Sequence, residues 1–167
     1  GFPADAVERV TARVPPLTHH LVGRPPREAM SVNYARLCAS YVAARVLLSG
    51  TVGVADFHET ALNDAANLAL ANRIEVVVDG NPDPNALTPI AVEIALKNGQ
   101  RCETRLDVVY GNPANPLSRE DHLAKFRRNC SAAALPIPEA KQDALIAAVD
   151  ELEAVSDVAE LVDLMVA

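Results

Sequence analysis

The sequence predicts an α+β fold: a mostly antiparallel sheet covered on one face by helices, followed by C-terminal α-helices. Three observations predict it. Segments 7–14, 74–79, 88–96 and 101–110 are rich in β-branched residues or alternate apolar with polar ones, the period of two that a half-buried strand requires. The last two segments flank Lys97-Asn98-Gly99-Gln100, and Asn-Gly is the preferred type I′ hairpin turn, so this pair is antiparallel. Apolar stripes with helical spacing fill much of the remainder. The resulting order, β-α-α-α-β-β-β and then α-α-α, is that of a sheet with its helices segregated to one side.

The elements follow in order. In segment 7–14, Val10, Ala12 and Val14 alternate with Arg9, Thr11 and Arg13. Pro15 and Pro16 end this strand, because proline cannot donate to a ladder. The stretch to Pro26, containing His19, His20 and Arg24, reads as a loop. Residues 30–49 read as one helix with a broad stripe of Met30, Tyr34, Leu37, Cys38, Tyr41, Val42 and Leu48. Arg36 lies off this stripe and Arg45 falls inside it. Gly50 is placed as a C-terminal stop. Residues 56–72 hold two short helices, with Asp56 and Asn63 as candidate N-caps. Ile90, Val92, Ile94 and Leu96 share one strand face, and Cys102, Leu106, Val108 and Tyr110 share another. Segment 80–89 holds three prolines and reads as an irregular connection. After the Gly-Pro-rich stretch 111–116, Ser118 caps a helix whose first turn carries Glu120 and Asp121. Helices over 141–154 and 157–165 close the chain. The expected division is an α+β domain over 1–116 and terminal helices over 117–167.

Composition bounds the function. The chain has 167 residues, half of them hydrophobic, and a formal net charge of −7. That hydrophobic content excludes a disordered chain. Aromatics make up 4%, with no Trp, so stacking platforms for nucleic acid are missing and the acidic balance opposes a polyanion partner. No apolar run reaches the roughly 18 residues of a membrane span. Cys38, Cys102 and Cys130 are far apart and show no CxxC spacing, which points away from a zinc or redox pair. With no signal-peptide pattern, a cytoplasmic location is expected. A start at Gly1 rather than Met suggests a piece of something longer.

Few residues carry an autonomous chemical signal. His19 and His20 are adjacent and make a poor bidentate metal site. His58 and Glu59 form an acid/base pair only if another segment supplies a cleft. His122 falls in the first turn of a helix. There is no nucleophile elbow, phosphate loop, zinc-protease motif or dinucleotide fingerprint. Tyr34 and Tyr41 lie about two helical turns apart and share a face. Their hydroxyls serve either as tethered core groups or, for one of them, in proton handling.

Three stretches carry a resemblance. Residues 31–50, SVNYARLCASYVAARVLLSG, resemble a helix of the MmgE/PrpD family, and TVGVADFH at 51–58 resembles its continuation. GNPANPLSREDHLAKF at 111–126 is similar to that family's Gly-Pro-rich strand exit running into a capped helix with Lys-Phe. The resemblance implies a larger enzyme, 2-methylcitrate dehydratase-like, in which this chain is the α+β lid and the helices that return to a missing N-terminal helical domain. It implies small di- or tricarboxylate substrates and proton abstraction next to a carboxylate, leading to dehydration, decarboxylation or epimerisation as in propionate metabolism. It further implies no metal or organic cofactor and an inactive isolated chain, while the antiparallel sheet and the apolar terminal helices lead to the expectation of a homodimer. It assigns Tyr41 a catalytic place facing the cleft, and leaves the substrate-binding residues unknown. Cys38-Ala39-Ser40 departs from the Phe-Ser-Leu-Pro type of stretch usual before that tyrosine. The competing reading is a non-catalytic binding or dimerisation module built on the sheet and the apolar terminal helices.

Overall fold

The computed structural model describes residues 1–166. It divides into two compact units, Gly1–Pro116 and a second from Leu117 onward. The first unit is built on a four-stranded sheet of order β2-β1-β3-β4, with β1 at Val7–Val14, β2 at Ile74–Val78, β3 at Ile90–Leu96 and β4 at Arg101–Leu106. β1 pairs parallel with β2 and antiparallel with β3, and β3 pairs antiparallel with β4. The fold is therefore α+β and the sheet mostly antiparallel. The parallel pair needs a long crossover, which the helices between β1 and β2 supply.

Strand alternation decides which face carries the core. Register places Val10 opposite Ile94 and Ile74, and Ala12 opposite Val92 and Val76, all on one face. Val7, Val10, Ile74 and Leu96 are buried there with Ala44, Leu70 and Ala71 from the helices. Each fully buried Val, Leu or Ile contributes about 1.5–3 kcal/mol. The opposite face carries Arg9, Thr11, Arg13, Glu75, Glu93 and Arg101 and lines an open depression of about 410 Å³. Ion pairs Arg9–Glu75 and Arg101–Glu93 cross the strands there.

Several elements differ from the sequence expectation. The stretch after β1 is a helix, α1 at Pro16–Val22, not a loop; Pro16 occupies its first position, where a missing N–H costs nothing. The expected helix 30–49 is two helices, α2 at Val32–Arg36 and α3 at Ala39–Ser49. Cys38 between them is extended and bridges to Gly23, which takes its backbone out of the helical ladder. Gly50 does end α3, in the left-handed region at φ 78°. Downstream, a 3-10 turn spans Val54–Phe57, α4 spans Glu59–Leu62 and α5 spans Ala65–Ala71. The side-chain cap of α5 is Asp64 and not Asn63; Asp56 is the third residue of the 3-10 turn.

β3 and β4 are antiparallel as expected, but the turn is not type I′. Gly99 N–H donates to Leu96 O and Leu96 N–H to Gln100 O, and in this turn only Gly99 has a positive φ, 85°. This is a three-residue hairpin loop in which Gly99 takes the left-handed bulge position. β4 stops at Leu106, because the chain bends at Asp107 and Val108.

The second unit holds α6 at Arg119–Ser131, α7 at Glu139–Asp150, a 3-10 turn at Leu152–Ala154 and α8 at Ala159–Met165. Ser118 caps α6 by accepting from the Asp121 N–H. Arg119 forks onto Asp150 and Arg127 reaches Asp143, tying α6 to α7. Leu123, Phe126, Leu145, Ile146, Val149, Leu161 and Met165 line an apolar groove of about 500 Å³. No helix among the described residues is long and apolar enough to cross a membrane.

Ser40, Asn67 and Gln142 are buried polar residues, and Ser40 and Gln142 donate to the carbonyls of Ile74 and Ile137. Asn67 on α5 is wholly buried, and neither atom of its amide meets a protein partner. An unpaired buried amide costs about 1–3 kcal/mol. Asn67→Ala, which removes the unpaired amide and is the better helix former, is expected not to lower unfolding stability, measured by urea unfolding of the chain.

Candidate functional site

The site is best built from α3 outward. Tyr41 and Arg45 are four residues apart and therefore project from one face. Both reach the segment between the end of α3 and the start of α5. Tyr41 is fully buried, packed with Met30, Ala35, Cys38 and Leu62 and with the Phe57 ring at 6.1 Å. Its hydroxyl lies 2.6 Å from the Asp56 carbonyl and 3.1 Å from that of Ala61, so its one proton is shared between two backbone acceptors.

Arg45 spends its guanidinium on two carboxylates. Nε and Nη2 donate to Asp56 Oδ1 at 2.8 and 2.5 Å, and Nη1 donates to Asp64 Oδ2 at 3.1 Å. The Arg45 and Asp56 side chains are only 17% and 15% exposed, which places this pair in a weakly screened setting. Each carboxylate has a second task. Asp56 Oδ2 accepts the Gly53 N–H at 2.7 Å, and Asp64 Oδ1 accepts the Ala66 N–H at 2.9 Å at the start of α5. One cation thus fixes the 3-10 turn, the cap of α5 and the span that carries His58 and Glu59. The sequence signal for it was a charged residue inside an apolar stripe, which demands buried partners.

A second group lies on the segment from Gly23 to Met30. Tyr34 Oη donates to Pro25 O at 2.8 Å, and the Cys38 thiol donates to Arg24 O at 3.2 Å. Burial pushes the Cys38 thiol above its usual value of 9.0, with backbone hydrogen bonds and Arg24 opposing. Gly23 packs so closely on α1 that an added Cβ would stand 2.6 Å from His19 O. The Arg24 and Arg27 guanidiniums sit over the Tyr34 ring at 5.2 and 4.1 Å, and that of Arg36 over Phe57 at 5.6 Å. Gly23, Pro25 and Pro26 wall an open depression of about 620 Å³ that also touches Arg9, Arg73, Glu8 and Glu75.

The other sequence candidates are dispersed. His19 is half-buried and His20 exposed on α1, His58 is the exposed N-terminal flank of α4, and His122 is exposed on α6 beside the apolar groove. No group of three or more His, Cys, Asp or Glu converges as a metal site among the described residues. Tyr34 and Tyr41 do not share a helix, since the break at Cys38 separates them.

Two outcomes follow from this geometry. Arg45→Met leaves two carboxylates without their cation and is expected to cost about 3 kcal/mol of stability by thermal unfolding. The Tyr41 hydroxyl is held above its usual pKa of 10.0, chiefly by burial and secondarily by Asp56 and Asp64, with Arg45 opposing. A raised folded pKa gives stability that is complete below about pH 10 and lost as pH rises through the folded value. Tyr41→Phe should therefore cost about 1 kcal/mol at neutral pH, and the gap to the unsubstituted chain should shrink above pH 10 in a pH series of unfolding curves.

The family model described as the MmgE/PrpD C-terminal domain matches residues 1–153. The chain is 32% identical over 165 residues to "Cis-aconitate decarboxylase" of Mus musculus, covering 98% of this chain and 32% of that protein. It is 34% identical over 132 residues to "Cis-aconitate decarboxylase" of Homo sapiens, covering 78% of this chain and 26% of that protein. The chain thus spans about a third or less of the length of the curated relatives it matches. A family match running through the whole sheet unit and α6 and α7 shows that this chain belongs to the MmgE/PrpD family, in its C-terminal domain.

Proposed function

We propose that this chain works as a domain of a longer lyase that acts on a small di- or tricarboxylate, with decarboxylation of a cis-aconitate-like substrate as the favoured reaction. The observation that carries this reading is the alignment to cis-aconitate decarboxylase along nearly the whole chain. In that reaction the bond from the carbon skeleton to one carboxylate breaks, CO2 leaves, and the skeleton takes up a proton in its place, which needs a general acid and cations to hold the anionic groups. It calls for no metal or organic cofactor.

The resemblance assigns Tyr41 to the cleft as a proton-handling group. Its geometry supports a different part in the same enzyme. A hydroxyl shared by two backbone carbonyls and fully buried holds α3 to the segment 53–64, so Tyr41 is a positioning residue in this reading. Dispersed histidines and a tethered tyrosine do not make an acid/base pair, and the proton-transferring groups are supplied by the remainder of the longer protein.

The test compares the 167-residue chain with the full parental protein on cis-aconitate and 2-methylcitrate, following CO2 release and loss of substrate. Turnover is expected from the parent and none from the chain alone; turnover by the chain would contradict the reading. In the parent, Tyr41→Phe is expected to lower kcat less than about tenfold and leave the pH–rate profile in place. A larger loss of kcat at unchanged stability and KM would assign Tyr41 to the chemistry instead.

A further inference from the structure

In a chain of net charge −7, six of the twelve arginines pair with carboxylates among the described residues. Arg9, Arg45, Arg101, Arg105, Arg119 and Arg127 are all ion-paired. Arg24 and Arg27 are among the six that are not, and of these the two share one aromatic ring. No carboxylate among the described residues lies within ion-pair distance of either, although Glu28 is the next residue in the chain. Arg24 makes one long contact of 3.5 Å to the Leu21 carbonyl.

The segment that carries them is held from below. Tyr34 Oη and the Cys38 thiol occupy the carbonyls of Pro25 and Arg24, Gly23 bridges to Cys38, and Met30 is buried at the far end. Pro25 and Pro26 stiffen the stretch between the two arginines. Tyr34 therefore does two things: its hydroxyl fastens the backbone, and its ring seats both guanidiniums within 5.2 Å of one centroid. A guanidinium resting on a ring face keeps its planar fork of N–H donors for a carboxylate. Much of the ordering that two long side chains would otherwise require on binding is already in place.

We propose that Arg24 and Arg27, seated on Tyr34, form a binding site for two carboxylates of one small polycarboxylate anion. This deepens the functional reading above and rests on it for the ligand class. Two cations on one ring suit a ligand with two anionic groups a few bonds apart and gain little from a single carboxylate. Arg36, on another face of α2 and over a different ring, stands outside the pair.

The test is a calorimetric and NMR titration of the 167-residue chain with tricarballylate, an unreactive tricarboxylate, and with acetate and inorganic phosphate. Tricarballylate is expected to bind in the millimolar range at low salt, and acetate far more weakly. Arg24→Gln and Arg27→Gln should each weaken binding about tenfold, the lysine variants less. Arg13→Gln, at an unpaired arginine of the open sheet face, should leave it unchanged. Far-UV circular dichroism and the unfolding temperature confirm that each variant folds. Absence of binding at about 10 mM tricarballylate, equal binding of acetate or phosphate, or equal losses in all three glutamine variants would overturn the proposal. Parental kinetics separate the two readings. An active parent whose KM ignores Arg24→Gln and Arg27→Gln keeps the lyase and rejects this site; arginine-dependent binding with an inactive parent keeps the site and rejects the lyase.

Discussion

A guanidinium placed inside an apolar helix stripe has to be met by charge, and the first unit is organised around meeting it. Arg45 is that group, and Asp56 and Asp64 reach it from two different turns of the following segment. Because each carboxylate also accepts a backbone N–H, the ion pair doubles as the cap of α5 and the lock of the 3-10 turn. Tyr41, one turn earlier, closes the same segment through its carbonyls. The short helices α4 and α5 are too brief to hold themselves, and isolated helices of such length do not persist in water. Their positions come from these tethers and from packing.

The sheet contributes a different constraint. With β1 in its interior, a period-two alternation sends valines and isoleucines to the helices and arginines and glutamates to the open face. The contrast between paired and unpaired arginines then becomes informative. Those on the sheet face mostly cross-link strands, and Arg45 is saturated. Arg24 and Arg27 are ordered by a ring and left with their donors free, which suits an anionic ligand better than it suits stability.

Much of this was legible in the residues. Strict alternation marked β1 and the core face of β3, and Asn98-Gly99 marked the hairpin, because these signals are local and do not depend on partners. The hairpin's turn type is not legible from Asn98-Gly99, because a three-residue loop also places a glycine in the left-handed position. The helix break at Cys38 was hidden, since Met30, Tyr34, Leu37 and Tyr41 keep helical spacing across it and the cause is a contact with the distant Gly23. Likewise Pro15 and Pro16 do not announce α1, because paired prolines end a strand and begin a helix equally well. At the site, Tyr41 and the anomaly of Arg45 were visible, but not that Asp56 and Asp64 answer it, nor that the Tyr34 ring gathers two arginines. Those facts belong to the packing of loops on helices, where spacing carries no information.

Family membership gives the frame, and the local physics says which residues of this domain hold shape and which remain free to bind. The central claim is that Tyr41 and Arg45 act together on the segment 53–64. A double-mutant cycle of Tyr41→Phe and Arg45→Met, read by urea unfolding of the 167-residue chain, tests it most directly. The account predicts a coupling of at least about 0.5 kcal/mol, because either loss frees the segment that the other must hold. Additive effects within about 0.3 kcal/mol would contradict it.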